Sequence, residues 1–479
     1  MKESIHSMPS LDAARKRTRN PIKIIREELN IADRLRLFAN GKKYFIRTYG
    51  CQANVVDSEN IAGILEEIGF IKTDDPFLSD IVILNTCAVR ENAEDKVFGE
   101  VGSLKRLKTQ NKEAIICLCG CMIQEPHIVE LIRQKYRQVD LLFGTHNITN
   151  LPNLLDEVIF SHKRVIEIHS KEGEIIENLP IVREDKFKAF VNIMYGCDKF
   201  CTYCIVPYTR GKQRSRLKED ILNEVRELKD LGYQEVTLLG QNVNAYGKDL
   251  KTNDTFASLL EEVAEIGIPR VRFTTSHPWD FSEDMFVAIS KHKNIMPFIH
   301  LPLQSGSDSI LRKMGRRYTG ESYMALVDKL REIIPDVALS TDIIVGFPNE
   351  TDQDFEDTLR VVEHCEYDSA FTFIFSPRIG TPAAKMEDII TREEKGKRFN
   401  RLKALLEKSV EKKALTYVGK TELVLVEGSS KKDENMLTGY TEHNKLVNFK
   451  GNPSLIGKIV PVKIIESHTY SLIGEVVDE

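Results

Sequence analysis

Ala189-Phe-Val-Asn-Ile-Met-Tyr195 runs through Gly196 into Cys197-Asp-Lys-Phe-Cys201-Thr-Tyr-Cys204, an apolar strand followed at once by three closely spaced thiols. Three thiolates so near in sequence can wrap three corners of a cubic 4Fe-4S cluster, since iron–sulfur clusters are held by cysteine thiolates. The fourth iron then has no protein ligand and is open to a small molecule. A structural zinc site is the alternative reading, but it asks for four closed ligands. No His lies between Asp185 and Arg216 to provide one locally.

Downstream of this stretch, apolar runs recur at Glu235 to Leu239, Arg270 to Thr275, Phe298 to Leu301, Ala338 to Val345 and Ala370 to Phe375. Helical segments such as Lys218 to Leu231 and Glu321 to Ile334 separate most of them. Six strand–helix units are too few for an eight-fold barrel and predict an open, partial (β/α)6 barrel, TIM-like, with its active rim at the strand carboxyl ends.

Upstream lies a second strand–helix series. Strands are expected at Tyr44 to Tyr49, Ile81 to Leu84 and Ala114 to Leu118, and helices over Asn54 to Gly69, Glu91 to Lys108 and Gln124 to Tyr136. In the first helix Val55, Val56, Ile61, Ile64, Leu65 and Ile68 form a buried stripe. Such alternation predicts an α/β, doubly wound parallel sheet. Ligands of these sheets gather outside the strand carboxyl ends. Cys51, Cys87 and Cys121 each fall just past a predicted strand end, so they should converge on one rim. Cys117 reads as a core residue, Cys119 as a competitor for ligation and Cys365 as buried and inert. Ser161 to Asp185 reads as a polar connector. The last sixty or so residues alternate β-branched runs (Thr421 to Val426, Lys458 to Ile465, Tyr470 to Val477) with Gly, Asn and Ser turns, which fits a small β-barrel.

The 479 residues are 42% hydrophobic and 29% charged, with 67 Lys/Arg against 72 Asp/Glu. That balance excludes a uniformly basic nucleic-acid coat but not a local basic groove. No apolar run approaches the roughly 20 residues that span a bilayer. Residues 1 to 40 lack the apolar segment of a secretory signal, so a cytoplasmic protein is expected. In a reducing cytosol, grouped cysteines serve metal or redox chemistry more often than disulfides. The leader carries Arg15, Lys16, Arg17 and Arg19, either as a solvated tail or as an arm that meets phosphates.

Together these segments resemble the methylthiotransferases, a family of radical S-adenosylmethionine (SAM) enzymes, from about Lys42 to Glu479. The resemblance implies an auxiliary-cluster domain (42–158), a radical SAM core (183–413) and a TRAM RNA-binding barrel (416–479); the basic leader (1–41) is a departure from the family that touches nothing catalytic. It makes Cys51, Cys87 and Cys121 the ligands of an auxiliary 4Fe-4S cluster. Cys197, Cys201 and Cys204 become the ligands of the radical-generating one. SAM serves as both methyl donor and radical source. Further segments add to the likeness: Leu238-Leu-Gly-Gln-Asn-Val-Asn244, Thr275-Ser-His-Pro278, His300-Leu-Pro-Leu-Gln-Ser-Gly-Ser307 and Ser340-Thr-Asp-Ile-Ile-Val-Gly-Phe-Pro348. In them Gln241, Asn242, Ser276, Gln304 and Asp342 have the polar chemistry for SAM contacts.

Asn85-Thr-Cys-Ala-Val-Arg-Glu-Asn-Ala-Glu-Asp-Lys-Val-Phe-Gly99 looks like the branch that acts on N6-dimethylallyl-adenosine at position 37 of tRNA. The other branches act on threonylcarbamoyl-adenosine or on an aspartate of a ribosomal protein, and a non-catalytic iron–sulfur RNA-binding protein is the rival from another class. Implied partners are a tRNA anticodon stem-loop and a low-potential electron donor of flavodoxin or ferredoxin type, with no membrane and a monomeric chain. The late-core Asn349-Glu-Thr departs mildly from the family's Gly-Glu-Thr. Thr416 to Glu479 has seven Lys against nine Asp/Glu, so RNA affinity must come from a patch. Candidates are Tyr208 to Arg216, above all Arg210; the run Arg312, Lys313, Arg316 and Arg317; and Tyr440, Lys445, Phe449 and Lys450, which mix aromatic and basic groups.

Overall fold

Strands Ile81–Thr86 and Ile115–Gly120 are buried at every position, which is why they read as unbroken apolar runs rather than as alternating ones. They form the middle of a seven-stranded sheet in a computed structural model that describes all residues except 1, 6–7, 20–21, 27–28, 89–90, 170–173, 432 and 478–479. From one edge the strands are Lys2–Ile5, Val165–Ile168, Leu141–Phe143, Ile115–Gly120, Ile81–Thr86, Lys43–Tyr49 and Ile71–Lys72. Every neighbouring pair is parallel. One face packs Ile61, Leu65, Ile83 and Phe143, and the other packs Val82, Leu84, Val97 and Ile116, as a doubly wound sheet requires.

The sheet reaches beyond the range read from sequence. The leader adds Lys2–Ile5, and the connector adds Val165–Ile168 and the strand Glu174–Ile176, which pairs with Lys23–Ile25. Strands of three or four residues carry too little periodicity to be recognised locally. The expected helix Glu91 to Lys108 is two, Glu91–Ser103 and Lys105–Gln110. Part of the branch-specific segment, Val89 and Arg90, lies outside the described residues.

Six parallel strands follow in chain order. Lys188–Asn192, Glu235–Leu239 and Arg270–Phe273 form one sheet; Phe298–His300, Ala338–Val345 and Ser369–Ile374 form another. A single bridge, Val271 to Ile295, links them along the barrel wall. Val191, Leu238, Val271, Ile299 and Ile343 share one core with the surrounding helices. Helix Gln52–Ile68 ties the first domain to this core. Gly63 is required there, because an added Cβ would meet the Pro180 carbonyl oxygen at 2.2 Å. Nearby, Arg183 bridges Glu59 (3.0 Å) and Glu224 (2.6 Å).

The 24-residue helix Arg392–Leu415 leads to a closed barrel of five strands: Thr421–Ser429, Met436–Thr441, Leu446–Lys450, Ser471–Val476 and Ile459–His468. This barrel docks at the amino-terminal ends of the core strands. Arg270 donates to the carbonyls of Tyr440 (2.9 Å) and Leu423 (2.7 Å), and Arg272 to those of Glu442 (3.0 Å) and Thr441 (2.8 Å). Among the described residues no helix is long and apolar enough to cross a membrane.

Candidate functional site: two cysteine trios at one interface

Register places the first trio. Tyr49 lies opposite Thr86, and Thr86 opposite Gly120, so three adjacent parallel strands end on one level. Cys51 caps the helix after the first of these strands, and Cys87 and Cys121 directly follow the other two. Gly120 makes the last turn possible: at φ +96° it packs so close that a Cβ would meet the Thr86 carbonyl oxygen at 2.3 Å. The Cys87 amide donates to Tyr49 (2.9 Å), and Asn54 Oδ1 faces both the amide and the Sγ of Cys51. The Cys51 thiol is pulled down to about 5, first by its hydrogen bond with Cys87 and then, against burial, by the Arg210 charge. Burial pushes Cys121 up to about 11, with Arg210 acting in the opposite direction. Cys117 and Cys119 both sit in the apolar core of the sheet.

The second trio follows the first barrel strand. Cys204 donates its amide to the Cys201 carbonyl (3.0 Å), and Cys197 donates to Gly211 (3.1 Å). Phe200, between them, takes the left-handed conformation at φ +50°. Arg316 Nη1 points at Cys201 Sγ (3.5 Å) and donates to His277 Nε2 (2.8 Å), while its Nη2 donates to the Pro302 carbonyl (2.9 Å). Only a neutral imidazole can accept from a guanidinium. Burial, with Arg316 and Lys199 nearby, holds His277 far down, at about 2. Burial also raises the thiols of Cys197 and Cys204, the latter to about 12.

In each trio the donor atoms are cysteine sulfurs, the ligand type of iron–sulfur clusters, and Cys51, Cys87 and Cys121 follow three adjacent strands that end on one level. Asn54 Oδ1 lies 3.5 Å from Cys51 Sγ, Arg210 Nε 3.1 Å from Cys121 Sγ and Arg316 Nη1 3.5 Å from Cys201 Sγ.

The rim beside the second trio holds the polar residues expected to contact SAM. Asn242 Nδ2 donates to Asp280 (2.7 Å), but Asn242 Oδ1 and Ser276 Oγ are buried without a partner. Orphaned polar atoms at a rim suit a polar ligand, because leaving them buried and unmet costs free energy. Gln241 accepts from the Gly196 amide, which fixes it to the cysteine loop. Gln304 stands at φ +68°, and its amide donates to the Asp342 carbonyl (2.8 Å). The Asp342 carboxylate faces His300 Nε2 at 3.5 Å. Thr275, at φ +68°, is another left-handed residue on this rim, and such backbone strain clusters at working sites.

The RNA contacts expected from sequence are placed differently. Arg210 is 6% exposed and donates to Asp57 (2.6 Å) and to Cys121 Sγ (3.1 Å), so it faces the first trio and not solvent. Lys212, Arg214 and Arg216 are buried as well, Arg216 on Glu177 (2.7 Å) and Glu224 (2.6 Å). Phe449 is fully buried in the core of the small barrel. Tyr440 is turned towards the docking face, with Lys188 5.8 Å from its ring. Lys445 reaches back to Asp368 (3.1 Å). Arg316 belongs to the second trio, whereas Arg312, Lys313, Arg317 and Lys450 are exposed.

The described part of the leader includes a segment that packs on the rest of the chain. Its helix Leu11–Arg17 buries Ala14, and Met8, Leu11 and Ala14 pack on Ala88, Cys121, Ile205, Tyr208 and Phe200, covering the seam between the trios. Sequence reading passed over His277, Asp280, Asp57 and Asn54. The Thr275-Ser-His-Pro278 segment was the available signal for His277; nothing local marks Asp57.

Three segments of the chain match known families. Residues 43–144 match an uncharacterized protein family, UPF0004; residues 191–362 match the radical SAM superfamily; residues 415–477 match the TRAM domain. The tRNA-2-methylthio-N(6)-dimethylallyladenosine synthase of Halalkalibacterium halodurans is 53% identical over 476 residues, covering 99% of this chain and 88% of the relative. That of Staphylococcus haemolyticus is 54% identical over 473 residues, covering 98% and 92%. In fold, the chain is similar to a radical S-adenosylmethionine methyltransferase from Kitasatospora setae, with a TM-score of 0.52 at 14% identity over 72% of this chain and 75% of that one. A radical SAM domain implies SAM and a 4Fe-4S cluster. The chain is an enzyme that belongs to the family of the tRNA-2-methylthio-N(6)-dimethylallyladenosine synthases.

Proposed function

We propose that this chain replaces the hydrogen on adenine carbon 2 of N6-dimethylallyl-adenosine, at position 37 of tRNA, with a methylthio group, using two 4Fe-4S clusters and two molecules of SAM. The observation that carries the two-cluster reading is the 3.1 Å contact from Arg210 to Cys121 Sγ, which brings the segment after Cys204 against the other trio. An aromatic C–H of this kind offers nothing to an acid, a base or an ordinary nucleophile. The clusters and SAM, when bound, supply the radical that removes the hydrogen and the methylated sulfur that takes its place.

The protein's own share is placement and exclusion of water. Cys197, Cys201 and Cys204 would hold the radical-generating cluster, and Cys51, Cys87 and Cys121 the auxiliary one. Gln241, Asn242, Ser276, Gln304 and Asp342 would hold SAM on the rim. Arg316, itself held by the neutral His277, keeps Cys201 in position. Phe200, Ile205 and Tyr208, covered by Met8, Leu11 and Ala14, form an apolar wall that keeps water from the seam. The target base would have to leave the anticodon-loop stack to reach it. The exposed cations Arg312, Lys313 and Arg317 would meet phosphates near the rim, and the TRAM barrel would hold another part of the tRNA. A flavodoxin- or ferredoxin-like donor would deliver the electrons to this soluble, monomeric enzyme in the cytoplasm.

Iron and acid-labile sulfide assays on the anaerobically reconstituted protein test the two-cluster reading. They should return about eight of each per chain, four for each cluster. About four of each would remove the auxiliary cluster from the account.

A further inference from the structure

Arg210 belongs to the radical SAM core by sequence and to the auxiliary trio by contact. It lies six residues after Cys204, at the end of the short helix Val206–Thr209. Its amide donates to the Val206 carbonyl (2.9 Å), and its own carbonyl accepts from Arg214 Nη2 (3.3 Å). The segment is clamped from the other domain too: Thr145 Oγ1 donates to the Thr209 carbonyl (3.1 Å), and Ile205 and Tyr208 pack with Ala88 and Cys121. The guanidinium then crosses the seam, with Nη2 on Asp57 (2.6 Å) and Nε on Cys121 Sγ (3.1 Å). Asp57 lies in helix Gln52–Ile68, whose cap is Cys51. Arg210 and Asp57 are 6% exposed each, so their charges are little screened by solvent.

We propose that Arg210 is a positioning residue that locks the loop of the radical-generating cysteines onto the auxiliary trio, and that its charge, oriented by Asp57, sets the reduction potential of the auxiliary cluster. The inference rests on the two-cluster reading above. Hydrogen bonds and nearby charge at a ligating sulfur are established levers on such potentials. Taking up one electron adds a negative charge at the cluster. A fixed cation on Cys121 Sγ favours that reduced form, and a neighbouring carboxylate opposes it.

The two partners therefore have opposite signs of effect, which a purely structural role does not give. The test uses the full-length chain with Cys197, Cys201 and Cys204 all replaced by Ala, so that the remaining paramagnetic signal belongs to the auxiliary cluster. Its potential is read by dithionite titration with electron paramagnetic resonance. R210Q should shift the equilibrium towards the oxidised cluster by about tenfold, ~59 mV downward for a one-electron couple. D57N should move it upward, R210K should stay near the parent protein, and the double variant R210Q/D57N should return towards it. The double variant also guards against a fold lost because one buried charge is stranded. Single variants that shift the same way, or not at all with the cluster bound, would overturn the proposal. A parent protein that binds no iron would overturn the two-cluster reading itself, and the proposal with it, and that outcome is told apart by the iron assay alone.

Discussion

Cys201→Ala abolishes cleavage of SAM: with strong reductant and no other change, 5′-deoxyadenosine falls to the background of reductant alone. The loop itself survives the substitution. Thr202 donates its amide to Met314 (2.9 Å) and its hydroxyl to Lys313 (2.8 Å), and neither bond uses the Cys201 side chain. Cys201 is 7% exposed, and losing its sulfur costs only on the order of 1 kcal/mol of stability. What is lost is one of three thiolates for which the loop offers no substitute, and Arg316 keeps its bond to the Pro302 carbonyl but no longer has a sulfur to face. Anaerobic incubation with SAM, read by chromatography of the nucleosides, checks this. Cleavage at the parental rate would mean that the second trio is not the radical source.

Cys87→Ala separates the two chemistries. It lies in the other domain, and its backbone bond to Tyr49 is kept by Ala. The three thiols of the second trio are untouched, so SAM cleavage should persist within about twofold. Methylthiolation should be lost entirely, with iron falling from about eight to about four per chain. The same preparations, given substrate RNA, report both quantities. Continued methylthiolation by Cys87→Ala would contradict the assignment of the auxiliary trio.

What was legible in the sequence was what local pattern carries. The spacing Cys197, Cys201, Cys204 is a property of one loop. The convergence of Cys51, Cys87 and Cys121 follows from a general rule about where parallel strands end. The misplaced residues share a different cause. Arg210, Lys212, Arg214 and Arg216 alternate with uncharged residues, as an exposed basic strand would, but Arg210 is neutralised by Asp57 and Arg216 by Glu177, both distant in sequence, with Glu224 adding a nearer partner to Arg216. Long-range ion pairs leave no mark in a local window. Phe449 was open to correction from sequence, because Val447 and Phe449 share one face of a strand at period two and both are fully buried. The leader's strand Lys2–Ile5 exists only because Val165–Ile168 offers it an edge.

The most direct measurement of the central claim is a single anaerobic reaction. Reconstituted protein is given SAM, a strong reductant and an anticodon stem-loop bearing dimethylallyl-adenosine; the RNA is then digested and its nucleosides are weighed. The account predicts a methylthio mass increment on that adenosine together with 5′-deoxyadenosine. 5′-Deoxyadenosine with unmodified RNA would contradict it, leaving the radical chemistry standing and the substrate wrong.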